Sequence, residues 1–130
     1  MKTIEVVAAI IQDEDGRVLA TQRGYGEFEG WWEFPGGKIE PGESHTTALV
    51  REIWEELSVM IMPDKWLCTV EYDYPNFHLT MHCALCHITQ GRVQLNEHAS
   101  AKWLAKDELN SLQWLPADVE VVNSVITNHR

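Results

Sequence analysis

The sequence predicts an α+β fold, a mixed β-sheet with helices packed on its faces. Three observations predict it. Short segments rich in Val and Ile and bounded by turn residues run through most of the chain. A single amphipathic helical segment interrupts them near the middle, and a second helical segment closes the chain. The length, 130 residues, fits one domain with a core of its own, so a single domain spanning residues 1–130 is expected.

Residues 4–11 and 18–21 are two apolar stretches around Asp13-Glu14-Asp15-Gly16, a turn signal, and predict an opening hairpin. Residues 24–30 hold three glycines and predict a loop, followed by a short strand over 31–34 that runs into Pro35-Gly36-Gly37. Residues 44–58 predict a helix, with Pro41-Gly42 breaking the chain before it and Ser44 as N-cap. Strands are expected over 66–74 and 77–89, separated by Pro75-Asn76, with shorter ones near 92–95 and 100–104. The last helix is expected from Pro116, with Val119, Val122 and Ile126 on its inner face.

Composition excludes several function classes. Ten Lys and Arg against twenty Asp and Glu leave a net charge of −10, which repels a nucleic-acid backbone; phosphates would have to be bound through cations. The longest apolar run, residues 6–11, is too short to span a bilayer, and Glu5 interrupts its front while Asp13, Glu14 and Asp15 close it, so neither a membrane partner nor a secretory leader is expected and the protein reads as cytoplasmic. Three cysteines, an odd number, suit reduced thiols. Cys83 and Cys86 fall in a predicted strand, where residues three apart face opposite sides, which suits packing better than metal or redox chemistry. His78 and His82 share a face of that strand, but a zinc site there would lack further ligands of matching direction.

The chemistry-bearing element is the helix over 44–58. At about 100° per residue, Glu55 and Glu56 fall about 60° and 40° to either side of Glu52, whereas Val50, Ile53, Trp54 and Leu57 lie on the far side. Three carboxylates on one face repel one another by a few tenths of a kcal/mol per pair, and a divalent cation reverses that repulsion. Oxygen ligands alone favour Mg²⁺ or Mn²⁺ over zinc. Gly36-Gly37 and Pro41-Gly42 build a compact loop before the helix, where main chain can approach a metal or phosphate closely. Arg51 lies beside the carboxylates, four residues before Glu55. A solvated acidic helix face is the simpler alternative for the carboxylates taken alone.

The segment Gly37-Lys38-Ile39-Glu40-Pro41-Gly42-Glu43, then seven residues, then Arg51-Glu52-Ile53-Trp54-Glu55-Glu56-Leu57-Ser58-Val59 resembles the Nudix hydrolase box, G-x5-E-x7-R-E-U-x-E-E-x-G-U. Only Ser58 departs from it, in place of the final glycine. The resemblance extends to residues 4–11, to Trp32-Glu33-Phe34 with Gly36-Gly37-Lys38, and to Pro116-Ala117-Asp118, and is strongest to the MutT-type branch and its bacterial CTP pyrophosphohydrolases. It implies an α/β/α sandwich and hydrolysis of a nucleoside triphosphate to the monophosphate and pyrophosphate. It also implies Mg²⁺, or Mn²⁺ in its place, held by Glu52, Glu55 and Glu56 with a carbonyl of Gly36 or Gly37. Arg51 would orient the glutamates through Glu43 or Glu55, and Glu97 matches the position of a further metal-binding or basic carboxylate. Arg23 and Lys38 are candidates for the phosphates, and Phe34, Tyr72 and Trp114 for the base.

Asp118 is the candidate reader of the base: ionised it would accept from the amino group of cytosine, and protonated it could donate to a carbonyl of guanine or 8-oxoguanine. The substrate expected is (d)CTP or a modified pyrimidine (d)NTP. The alternatives are 8-oxo-dGTP, in nucleotide-pool sanitation, or a noncatalytic module that binds nucleotide or metal. A monomer and a homodimer are both compatible with the sequence.

Overall fold

The computed structural model describes residues 1–127. Its elements are β1 (Lys2–Ile11), β2 (Val18–Gln22), β3 (Trp32–Glu33), β4 (Gly36–Lys38), α1 (His45–Leu57), β5 (Met60–Tyr74), β6 (Phe77–Gln90), β7 (Ser100–Leu104), a 3-10 turn (Lys106–Ser111) and α2 (Pro116–Thr127). Two sheets form, in the order β4-β1-β6-β5 and β3-β2-β7. The first is mixed, because β1 runs antiparallel to β4 and parallel to β6.

The layers follow from the alternation of side chains along β1. Ala8 and Ile10 face a core completed by Val121, Val122 and Val125 of α2, whereas Val7, Ala9 and Ile11 face a core completed by Leu49, Ile53 and Leu57 of α1. The sheets therefore lie between two helices, the sandwich expected. Burial of this kind makes truncation costly; Ile53→Ala would lose about 2–5 kcal/mol. The same alternation divides the thiols: Cys83 packs on the α2 side and Cys86 on the α1 side.

Several expectations are corrected. Residues 13–17 do form the turn, with the Asp13 amide donating to the Arg17 carbonyl at 2.9 Å. Beyond it the two strands part into different sheets, because β4 and β6 already occupy both edges of β1. The strand expected at 66 begins at Met60 and carries three register shifts. Residues 92–95 form no strand; the amides of Gln94 and Asn96 instead donate to the Leu57 and Glu56 carbonyls at the end of α1.

Two helix faces are also turned. Trp54 is 53% exposed, at the edge of the apolar stripe, while Leu49 joins Ile53 and Leu57 in the core. On α2, Val119 is 47% exposed, and Ala117, Asp118, Val121 and Val125 are buried with Val122. Ile126 is partly buried, as expected.

Candidate active site

Helix α1 starts where Ser44 caps it, its hydroxyl accepting from the Thr47 amide at 3.1 Å. It ends at Ser58, which adopts the left-handed conformation (φ 58°) suited to a glycine, its amide donating to the Trp54 carbonyl. The departure from the box pattern therefore leaves the turn intact. Asn96 secures it, donating through Nδ2 to the Glu55 carbonyl (2.9 Å) and the Ser58 hydroxyl (3.0 Å). Those bonds seat the loop that carries Glu97 beside the acidic face.

The carboxylates of α1 are not equivalent. Glu56, 8% exposed, turns inward, and its Oε1 accepts from the Gly36 amide at 3.2 Å. Burial, reinforced by the charges of Glu97, Glu52 and Glu33, pushes its carboxyl up to about 9. Glu52 lies against Gly37, where a side-chain carbon would push its carboxylate aside, while at Gly36 a side-chain carbon would run into the Val7 backbone, so glycine is required at Gly36. Burial also raises Glu52, against the hydrogen bond from Arg51. Glu55 stays exposed.

Arg51 binds the set together. Its Nε and Nη2 donate to both oxygens of Glu43 (2.6 and 2.9 Å), Nη1 donates to Glu52 (2.7 Å) and Glu55 (3.1 Å), and Nη2 also reaches the Lys38 carbonyl (3.0 Å). Hydrogen bonds from Arg51 and from the Glu40 amide hold Glu43 down to about 2. The bidentate grip fixes the loop on the helix, a positioning role. Lys38 contributes its main chain here and its side chain is exposed.

Two recesses meet at Gly36, Arg23 and Glu33. One is acidic, with Glu56, Glu97 and His98 on its walls. The other, about 290 Å³, is mainly apolar, lined by Phe28, Phe34, Tyr74, Leu79 and Met81 with Asp118. Asp118 is 4% exposed; its Oδ1 accepts from the Phe34 amide at 3.1 Å, and burial pushes its carboxyl up to about 8. Although burial opposes its charge, Arg23 is held above its ordinary value by Glu33, to which Nη2 donates at 2.8 Å.

Of the three aromatics expected at a base, the structure places Phe34 on the cavity. Trp114 lies behind it, stacked on Phe34 at 4.7 Å, with its indole donating to the Leu109 carbonyl. Tyr72 packs on Tyr74 at 4.8 Å and does not line the cavity. Sequence reasoning missed Tyr74, Phe28, Glu33 and His98. Tyr74 carries a signal, being two residues beyond Tyr72 and on the same face of the strand.

A glycine loop laid across a carboxylate-bearing helix, beside a base-sized apolar cavity, defines a hydrolase of the phosphoanhydride type. The comparisons agree with this architecture: the NUDIX domain matches residues 2–125, and the chain belongs to the Nudix hydrolase family. Among its relatives, the CTP pyrophosphohydrolase of Escherichia coli K12 is 35% identical over 125 residues, covering 95% of this chain and 92% of that one. The 8-oxo-dGTP diphosphatase of the same organism is 30% identical over 123 residues, covering 94% and 95%. A MutT NUDIX hydrolase from Burkholderia pseudomallei superposes with a TM-score of 0.85 at 28% identity, covering 96% of this chain and 99% of that one.

Proposed function

We propose that the protein hydrolyses (d)CTP or a closely related pyrimidine nucleoside triphosphate to the monophosphate and pyrophosphate. The observation that carries this reading is the junction at Gly36 and Arg23, where a cavity of the size of a base opens beside a cluster of carboxylates. The 35% identity to a CTP pyrophosphohydrolase supports the base assignment.

Nudix hydrolases generally use a divalent cation such as Mg²⁺. The donor set fits one: Glu52, Glu55 and Glu56 offer only oxygens, the main chain of Gly36 and Gly37 lies against Glu56 and Glu52, and burial together with neighbouring like charges raises Glu52 and Glu56. When bound, Mg²⁺ or Mn²⁺ neutralises triphosphate charge and activates the attacking water. The chain supplies the rest. Glu97, which lines the same recess as Glu56, holds the cation or takes the proton of that water in this reading. Arg23, already oriented by Glu33 and lining both recesses, takes the phosphates in this reading. Phe34 and Tyr74 flank the base, and Asp118 accepts from the exocyclic amino group of cytosine.

A second reading, 8-oxo-dGTP hydrolysis, is favoured by the burial of Asp118. A carboxyl raised to about 8 holds its proton at neutral pH and can donate to a purine carbonyl. The deciding experiment measures kcat/KM for CTP, dCTP, 5-methyl-dCTP, UTP, GTP, 8-oxo-dGTP and ADP-ribose with Mg²⁺, identifying the products. Cytosine preference with pyrophosphate release supports the first reading, and dominance of 8-oxo-dGTP replaces it with the second. Binding without turnover of any substrate would overturn both in favour of a noncatalytic module. Asp118→Asn should shift the ratio of kcat/KM for CTP against 8-oxo-dGTP; an unchanged ratio removes Asp118 as reader.

A further inference from the structure

Away from the carboxylate face of α1, three side chains from three elements converge on the same side of the first sheet. His45 opens α1, Glu5 stands on β1, and His82 stands on β6. Their ligand atoms, one from each residue, lie within 4.8 Å of one another. Nε2 of His82 is 2.7 Å from Glu5 Oε2, and Nε2 of His45 is 3.9 Å from the same oxygen. The two imidazole rings are stacked, 4.1 Å between centroids with 23° between planes.

The surroundings prepare this group to act together. Thr69 Oγ1 on β5 lies 3.0 Å from Nδ1 of His82, which fixes the ring and leaves Nε2 directed at Glu5. His82 is largely enclosed, its side chain 16% exposed. Trp66 meets His45 edge to face at 5.8 Å, and it walls a shallow recess of about 260 Å³ with Thr69 and the two histidines. His78, which the sequence places on the same strand face as His82, is held by Asp73 and Glu71 and takes no part. The ligands of matching direction come instead from β1 and α1, which no local pattern reveals.

We infer that Glu5, His45 and His82 form a binding site for a divalent transition cation of the Zn²⁺ type, separate from the glutamate cluster and built of two imidazoles and one carboxylate. Three such ligands with a fourth position open to water match tetrahedral Zn²⁺, and imidazole nitrogens discriminate against Mg²⁺, which the all-oxygen cluster suits. Small side-chain adjustments suffice, because a ligand at about 2.0–2.1 Å from a shared ion stands within about 3.5 Å of its neighbours. His45 and Glu52 are seven residues apart on α1, about 10 Å along the axis. Bound metal would therefore tie the start of the helix to β1 and β6 without occupying the acidic face.

The test uses untagged full-length protein, stripped of metal and then held in excess Mg²⁺. Co²⁺ added alone should produce visible d–d absorption of imidazole-ligated metal at one equivalent, and Zn²⁺ should displace it and raise Tm. His45→Asn and His82→Asn should each weaken Zn²⁺ binding more than tenfold while keeping Mg²⁺-dependent turnover. Thr69→Val should weaken it by about tenfold by releasing the ring. Glu56→Gln should leave the Co²⁺ spectrum as it is. The proposal is overturned if the wild-type protein gives no such spectrum, if the histidine variants bind Zn²⁺ as tightly as wild type, or if Glu56→Gln abolishes the signal. Melting of the His45, His82 and Thr69 variants in EDTA at the wild-type Tm ensures that lost binding is not lost folding.

Discussion

Replacing Glu56 by Gln should make the metal-free protein more stable. Glu56 is nearly enclosed, and burial with the charges of Glu97, Glu52 and Glu33 lifts its carboxyl from about 4.5 to about 9. An acid raised by folding contributes its full stability below the unfolded value and loses it as pH rises through the folded one. At pH 7 the unfolded chain has released this proton while the folded chain retains it, a gap of about 2.5 pH units and a cost of about 3 kcal/mol. Gln carries no charge and keeps an oxygen for the Gly36 amide. Glu56→Gln in EDTA should then gain up to about 3 kcal/mol at pH 7, roughly 10 °C in a domain of this size, with the gain vanishing near pH 4. Asp118 is present in both proteins and cancels in the difference. Mg²⁺ should stabilise the wild type and not the variant. Thermal melts from pH 4 to 8, with EDTA or Mg²⁺, decide the matter; a variant no more stable than wild type at pH 7 in EDTA, or equally stabilised by Mg²⁺, refutes the reasoning.

Other residues separate the roles further. Glu55→Gln removes an exposed carboxylate, so kcat should fall by orders of magnitude with Tm in EDTA nearly unchanged, checked by steady-state kinetics beside melting. Gly37→Ala places a methyl against the Glu52 carboxylate, and should raise the Mg²⁺ concentration for half-maximal activity in a metal titration. Ser58→Ala keeps the left-handed turn but loses the bond from Asn96, which should cost about 1 kcal/mol in denaturant unfolding and lower turnover by loosening the loop that carries Glu97.

Local pattern made the box helix legible, since capping, the apolar stripe and the glycine loop all lie within about twenty residues. The alternation that divides Cys83 from Cys86 was equally local. What escaped depends on distant parts of the chain. The opening strands part because β6 and β4, tens of residues later, take both edges of β1. Val119 and Trp54 turn outward because the core is centred one position round each helix from the angle that apolar residues alone suggest. Glu56 faces inward for the same reason, at the margin where the acidic and apolar faces of α1 meet. Tyr74 rather than Tyr72 reaches the cavity because it stands at the mouth of the β5-β6 turn, where its hydroxyl accepts from the Ala117 amide at 3.2 Å.

The parallel pairing of β1 with β6 has a consequence for how the protein is made. Lys2 aligns with Phe77 and Ile11 with Cys86, so β1 must wait for a strand synthesised about sixty-five residues after it. Until then, even with β4 on its other edge, its Val-Ile-Ala run keeps an open apolar edge on the β6 side, and the long loop closure needed to pair it is slow. Synthesis at about 5–20 residues per second leaves that edge exposed for several seconds, the interval in which chaperones or neighbouring chains compete for it. The acidic residues at 13–15, following the strand directly, give the nascent chain a charged flank that opposes self-association during that wait.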